Sequence, residues 1–279
     1  SSDVCSSDLE TRPASIAALT SRTRSNTAAS PAAVFRSSSR AAWNRARAVA
    51  TVRRASARLG SRRLQADRPP NVILIVLESV AARWTGINGG PYETTPSLVQ
   101  ESARSLVFPN AYAHIGRSSN SLAALLLSTY PKLGFRDITD EYPQLPGTSI
   151  ASILRSRGYR TSFVTPSDLS WAGWRTFLDG RGFQDVRDYK DLVCTPPLSS
   201  WGVEDRCMVD GMLSLISQER TQPFFIMAWS QQTHHPYEPT PGVPLLPLVR
   251  EPVSDEYDLG RYLNVLRSEE HTSELQSRE

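Results

Sequence analysis

A chain of 279 residues that is 39% hydrophobic and 21% charged carries enough apolar material for one sizeable core, which excludes a fully disordered or fibrous protein. Three cysteines in that length exclude a disulfide-rich scaffold, and no apolar run approaches the roughly 20 residues that cross a bilayer, Val72 to Leu77 being among the longest. The net charge of +3 averages two unlike parts: 13 arginines, no lysine and two acids between Glu10 and Pro69 give +11, whereas residues 70–266 hold 16 basic and 20 acidic residues, or −4. Charge speaks to partners only where folded surface carries it, so the chain reads as an acidic domain behind an arginine-rich leader.

In chain order, residues 1–9 and 267–279 are predicted to be foreign to the gene. Val4-Cys5-Ser6-Ser7-Asp8-Leu9 is encoded by GTGTGCTCTTCCGATCT, and Arg267-Ser268-Glu269-Glu270-His271-Thr272 by its reverse complement. The string resembles a sequencing adaptor read in both directions, and the native chain is expected to stop near Leu266. Residues 10–69, rich in Ala, Ser and Arg, cannot bury enough surface to fold alone and are expected to be disordered or partly helical. Trp43, Val49, Val52, Leu59 and Leu64 recur at helical spacing, which fits a membrane-surface stretch. A solvated linker fits as well, and the aromatics and modules of a nucleic-acid binder are not recognised there.

Asp67-Arg68-Pro69-Pro70 marks a boundary. Asn71 to Leu77 is apolar on both faces and β-branched, the pattern of a central parallel strand covered by helices on both sides. Thr95-Pro96 opens a helix through about Ser102, and Leu106 to Ala113 resumes as an extended segment. Ser118 to Ser128 is predicted helical with Leu122, Leu125 and Leu126 on one face. Thr148 caps another helix with Ile150, Ile153 and Leu154 inward and Gly158 at its end, and Tyr159 to Thr165 returns as a strand. Trp171 to Arg181 and Trp201 to Ser217 read as helices, and Pro223 to Trp229 as a further buried strand. Alternation of this kind predicts an α/β sandwich with a mostly parallel sheet. Ligands of such sheets bind beyond the carboxyl ends of the strands, where Glu78, Ser167, Asp168, His234 and His235 stand.

Three motifs at those places carry a resemblance. Asn71 to Leu77 followed by Glu78-Ser79 resembles the opening strand of the sulfatase family of the alkaline phosphatase superfamily. Ser118-Ser119-Asn120-Ser121-Leu122 through Thr129-Tyr130-Pro131 resembles that family's signature block, and Thr233-His234-His235-Pro236-Tyr237 its His-x-Pro-Tyr segment. The resemblance implies a three-layer αβα sandwich, incomplete towards the C-terminus, with residues 70–266 as the N-terminal part of the catalytic domain.

It also implies roles. Ser118 is the expected nucleophile, favoured at a helix start by backbone N–H groups and the positive dipole end. A serine hydroxyl is a poor nucleophile at neutral pH, so a divalent metal held by Glu78 and Ser118 is the expected activator. Manganese is the first choice, with calcium, magnesium or zinc as alternatives. Arg117 is placed to meet the anion, and His234 to bond or protonate an oxygen of the transferring group. Trp171 resembles a tryptophan of the head-group pocket. His235 receives no role, and Trp201-Gly202-Val203 with Asp205 is read as a structural helix start.

The sulfatase modification to formylglycine needs Pro or Ala two residues after the nucleophile and Arg four after, where this chain has Asn120 and Leu122. Ser118 is therefore expected to stay a serine, and Gly116-Arg117-Ser118-Ser119 resembles the Gly-Lys-Thr-Ser of lipoteichoic acid synthases. This leans the reading to phosphodiester or phosphoglycerol transfer on a lipid- or glycan-linked ester in the cell envelope, without nucleic acid. A true sulfatase and a catalytically inactive binding domain are the alternatives. The family's late Asp-His-Gly segment is missing from residues 70–266, which leaves two of the expected four metal ligands.

Overall fold

In the computed structural model, which describes residues 69–130, 134, 136–194, 198–218, 221–248 and 258–274, the fold is organised by the strand Phe224–Trp229. The period-two pleat of a strand sends successive side chains to opposite faces. Phe225, Met227 and Trp229 enter one core, and Phe224, Ile226 and Ala228 enter another. A strand that is apolar at every position is thus what a sheet buried on both faces requires.

Four strands, β1 (Val72–Val76), β2 (Arg160–Val164), β3 (Asp185–Arg187) and β4 (Phe224–Trp229), lie in the order β1-β4-β2-β3. All three pairings are parallel. Helices α1 (Pro96–Ser102), α2 (Ser118–Leu127), α3 (Ile138–Glu141), α4 (Ile150–Ser156), α5 (Trp174–Leu178), α6 (Asp205–Ile216) and α7 (Leu259–Glu274) surround them. Leu122 and Leu126 of α2, Ile138 of α3, Ala151 of α4 and Phe177 of α5 cover one face of the sheet, and Cys207, Met208, Met212 and Leu215 of α6 the other. This is the three-layer α/β sandwich with a parallel sheet that the alternation of elements predicts.

Several boundaries differ from expectation for local reasons. Among the described residues β1 stands at one end of the strand order, where a central place was expected. Val72, Leu74 and Val76 pack on the first core, whereas Ile73 and Ile75 remain 44% and 40% exposed because α6 covers only β2 and β4. Leu106 to Ala113 forms no ladder. Leu125 points to solvent, and in α4 so do Ile150 and Ile153. There the cap is Ser149, not Thr148: its Oγ accepts the Ser152 N–H at 2.9 Å and turns Ala151 inward. Thr95 caps α1 only by position, because its hydroxyl accepts from Gly86 N–H instead. The segment after Trp171 is a short 3-10 turn whose Ala172 and Gly173 take left-handed conformations before α5 begins. Strand β3 and helices α3 and α7 have no counterpart in the sequence reading.

The expectations for residues 1–9 and 10–69 lie outside the described residues. Helix α7 runs without a break from Leu259 past Leu266 to Glu274. Tyr262, Leu263 and Leu266 bury against Val80, Trp84 and Tyr92, and the Arg267 guanidinium donates to the Glu93 carbonyl.

Cys194 and Cys207 form a disulfide across 13 residues that ties the loop after β3 to the first turns of α6. Closing a loop of that length contributes about 3 kcal/mol. Cys207→Ser is expected to lower the unfolding free energy in urea by that order, and dithiothreitol to do the same to the wild type. A midpoint unmoved by dithiothreitol would show that the bridge is not formed in solution.

Candidate active site

Parallel strands deliver their carboxyl ends to one rim, and the pairing of Val76 with Trp229 and of Val164 with Ala228 sets what stands there. Two residues beyond β1 comes Glu78, and directly beyond β4 come Ser230 and the turn to His234. The two loops are stitched together. Glu78 N–H donates to Ser230 Oγ at 3.0 Å, and the Thr233 hydroxyl donates to the Glu78 carbonyl.

The Glu78 carboxylate gathers donors from three elements. Ser118 Oγ donates to Oε1 at 2.8 Å, Ser79 Oγ to the same oxygen at 3.0 Å, and the Trp229 indole N–H to Oε2 at 2.7 Å. Ser79 lies in the left-handed region at φ 51, a conformation that costs a non-glycine residue about 1–3 kcal/mol. It is held by Tyr262 of α7, whose hydroxyl donates to the Ser79 carbonyl at 3.0 Å and accepts from Ala81 N–H at 3.1 Å. The strain lies beside the carboxylate, and a helix from the far end of the described chain maintains it.

Ser118 is the first residue of α2, where first-turn N–H groups lack intrahelical partners. The turn is fixed from outside the helix. Asn120 Oδ1 accepts Ile138 N–H at 3.0 Å, and the Trp174 indole N–H donates to Ser119 Oγ at 3.1 Å. Trp174 in turn meets Trp229 edge-on at 5.0 Å. The start of α2 and the Glu78 carboxylate thus share one scaffold through the two tryptophans.

Arg117 makes a bidentate fork with Asp137, Nε to Oδ1 at 2.7 Å and Nη2 to Oδ2 at 3.1 Å. The guanidinium expected to meet an anion is thereby engaged by a carboxylate, a pairing that sequence could not show across 20 positions. Burial pushes the Asp137 carboxyl up. The hydrogen bonds from Arg117 and Ser119, with the Arg117 charge, outweigh that and hold it below the usual carboxylate range. A carboxyl lowered by folding contributes stability above its unfolded value, about 3.9, and loses it as pH falls through the folded value. The stability gap between wild type and Asp137→Asn is therefore expected to be widest above about pH 5 and to close in acid. A gap independent of pH between 2 and 6, roughly the window this linkage spans, would refute the pairing.

His234 is half-buried; its backbone N–H closes a turn onto the Gln231 carbonyl at 2.8 Å. Its ring lies 4.6 Å from that of Trp201, which lies 4.7 Å from that of Trp171. The three rings form a ladder from the β4 loop to the exposed Trp171. His235 is exposed against Tyr237. Of the residues singled out by sequence, Glu78 and Ser118 meet directly, His234 is joined to Glu78 through Thr233 and Ser230, Trp171 stands at the end of the ladder, and Arg117 is turned to Asp137. Trp229, Trp174, Asp137 and Tyr262 were missed; apolar patterning had assigned Trp229 to the core, and nothing local marks the others.

As for a metal, Glu78 Oε1 and Ser118 Oγ are two hard oxygen donors 2.8 Å apart, of the kind that suits a divalent cation. Among the described residues no group of three or more His, Cys, Asp and Glu gathers that could hold one.

A family model described as Sulfatase matches residues 70–267. Arylsulfatase A of Homo sapiens is 26% identical over 222 residues, 62% of this chain and 43% of its own length. Phosphoglycerol transferase I of Xanthomonas euvesicatoria pv. vesicatoria is 32% identical over 93 residues, 31% of this chain and 13% of its own. The lipoteichoic acid synthase LtaP from Listeria monocytogenes shares the fold, with a TM-score of 0.66 at 19% identity over 76% of this chain and 52% of that chain. The chain thus spans less than half the length of these two curated relatives.

Proposed function

The chain belongs to the sulfatase family, and from that premise we propose that it is part of a metal-dependent hydrolase or transferase of phosphate or sulfate esters in which Ser118 carries the group transferred. The observation that supports this most is the 2.8 Å hydrogen bond from Ser118 Oγ to Glu78 Oε1 at the start of α2. Ser118 Oγ attacks phosphorus, a new O–P bond forms and the ester P–O bond breaks. The hydroxyl proton passes towards the Glu78 carboxylate that already accepts it, and His234 protonates the departing oxygen. Water or an acceptor hydroxyl then takes the group from Ser118.

A bound divalent cation would lower the hydroxyl pKa and offset the charge of the transferring group. Glu78 and Ser118 would hold it, manganese being the first choice and calcium, magnesium or zinc the others. We assign its remaining ligands to an Asp-His-Gly segment outside residues 70–266. By itself this chain is accordingly expected to turn over no ester with added manganese, and measurable turnover would refute that assignment.

Phosphoryl transfer is preferred because Asn120 and Leu122 stand where the formylglycine signature requires other residues. The phosphoglycerol transferase I relative supports a phosphoglycerol-type donor, lipid- or glycan-linked. A sulfuric ester hydrolase is the second reading, favoured by the longer match to arylsulfatase A. Mass spectrometry of the peptide around residue 118 separates them: unmodified serine supports the first, and oxidation to the aldehyde supports the second. An envelope location with an extracytoplasmic catalytic domain fits the Cys194–Cys207 disulfide, since such bonds persist in oxidising compartments. Among the described residues no helix is long and apolar enough to cross a membrane.

A further inference from the structure

The segment Trp201–Asp205, which sequence presents as a plain helix start, touches the His234 turn twice. Asp205 opens α6 and is 1% exposed, yet its carboxylate is turned to another loop. Oδ1 accepts the N–H of Gln231 at 2.8 Å and Oδ2 the N–H of Gln232 at 2.9 Å, while Asp205 N–H donates to Gln232 Oε1 at 3.3 Å. Gln231 and Gln232 are the first two residues of the turn that His234 closes. A buried carboxylate needs such charge-assisted bonds to be tolerated at all, so the turn and the carboxylate fix each other. Four residues earlier the Trp201 ring lies against the His234 ring at 4.6 Å.

The segment is itself immobilised. Trp201 carbonyl accepts Asp168 N–H at 3.0 Å, Val203 N–H donates to Pro166 at 3.0 Å, and Cys207, two positions past Asp205, is bonded to Cys194. Gly202 passes so close that a Cβ would stand 2.0 Å from the Pro166 carbonyl oxygen, which no other residue could accept.

We propose that Asp205 and Trp201 are positioning residues that aim the His234 imidazole at the transferring group, Asp205 through the turn's backbone and Trp201 through its ring. The proposal rests on the reading of His234 as a substrate-facing residue. Small misplacements of such a group cost on the order of a hundredfold in rate, so supports of this kind matter to chemistry without touching substrate.

The test is NMR of the whole disulfide-bonded chain with labelled histidine, with inorganic phosphate as the anion probe. In wild type the His234 ring protons are expected upfield of a free imidazole, in the Trp201 ring current. Trp201→Leu should remove the displacement. Asp205→Ala should remove it too, although Asp205 touches no ring atom, and should weaken phosphate roughly tenfold, the effect of a lost charge-assisted pair. Asp205→Asn, which keeps one acceptor, should restore part of both. A folded Asp205→Ala protein with the wild-type His234 shift overturns the proposal. Should Asp205→Ala fail to fold, Asp205→Asn and Trp201→Leu decide by the same shift, unchanged values in both overturning it. His234→Ala distinguishes the underlying reading: if it leaves phosphate binding unchanged, the role of His234 fails, while the ring shifts still decide whether Asp205 and Trp201 position it.

Discussion

Ser118→Ala is expected to lower phosphodiester turnover by about 10⁴-fold or more in any form of the protein that turns the ester over. Losses of that order follow removal of a nucleophile whose attack the rest of the site cannot replace. The same change is expected to leave stability nearly untouched. The one side-chain bond that Ser118 Oγ donates goes to Glu78 Oε1, which keeps the donor Ser79, and a single exchangeable hydrogen bond contributes only about 0.5–1.5 kcal/mol. Turnover within tenfold of wild type, or a phosphorylated peptide from a residue other than 118, would move the chemistry elsewhere on the rim.

Phe225→Ala is expected to be the most damaging single truncation of the sheet. Phe225 is fully buried as the second residue of β4, packed with Phe183 and the α2–α5 layer, and losing such a ring costs about 3–5 kcal/mol. That is a large share of a typical stability of about 5–15 kcal/mol, so urea denaturation should show a midpoint collapse. Ile75→Ala in β1 supplies the contrast. At 40% exposure it should cost about 1 kcal/mol or less, whereas a central β1 covered on both faces would make it comparable to other core truncations at about 2–5 kcal/mol. Equal losses for the two variants would return β1 to the centre of the sheet.

The reading of β1 shows where sequence inference has its limit. Val72 to Val76 is apolar at every position, and period-two patterning then asks for burial on both faces. How many neighbours a strand has depends on the other strands, and among the described residues the core under α6 is built from β2 and β4 while β1 stands at one end of the order. Helix α2 is a milder case, with three leucines on one predicted face and Leu125 left exposed, because the packing partner is a sheet rather than a symmetric groove.

Places along the chain, by contrast, were legible without the fold. Glu78 after a β-branched run, Ser118 at a helix start and His234 after Phe224–Trp229 were located by their neighbouring residues, and the roles expected of them came from the family resemblance. Tertiary structure alone decided their relations: the 2.8 Å contact of Ser118 with Glu78, the capture of Arg117 by Asp137, the Trp174–Trp229 scaffold and the bracing of Ser79 by Tyr262. Each joins residues separated by between 20 and 183 positions, and contacts at that range are selected by how layers pack, which no local pattern of propensity or periodicity encodes.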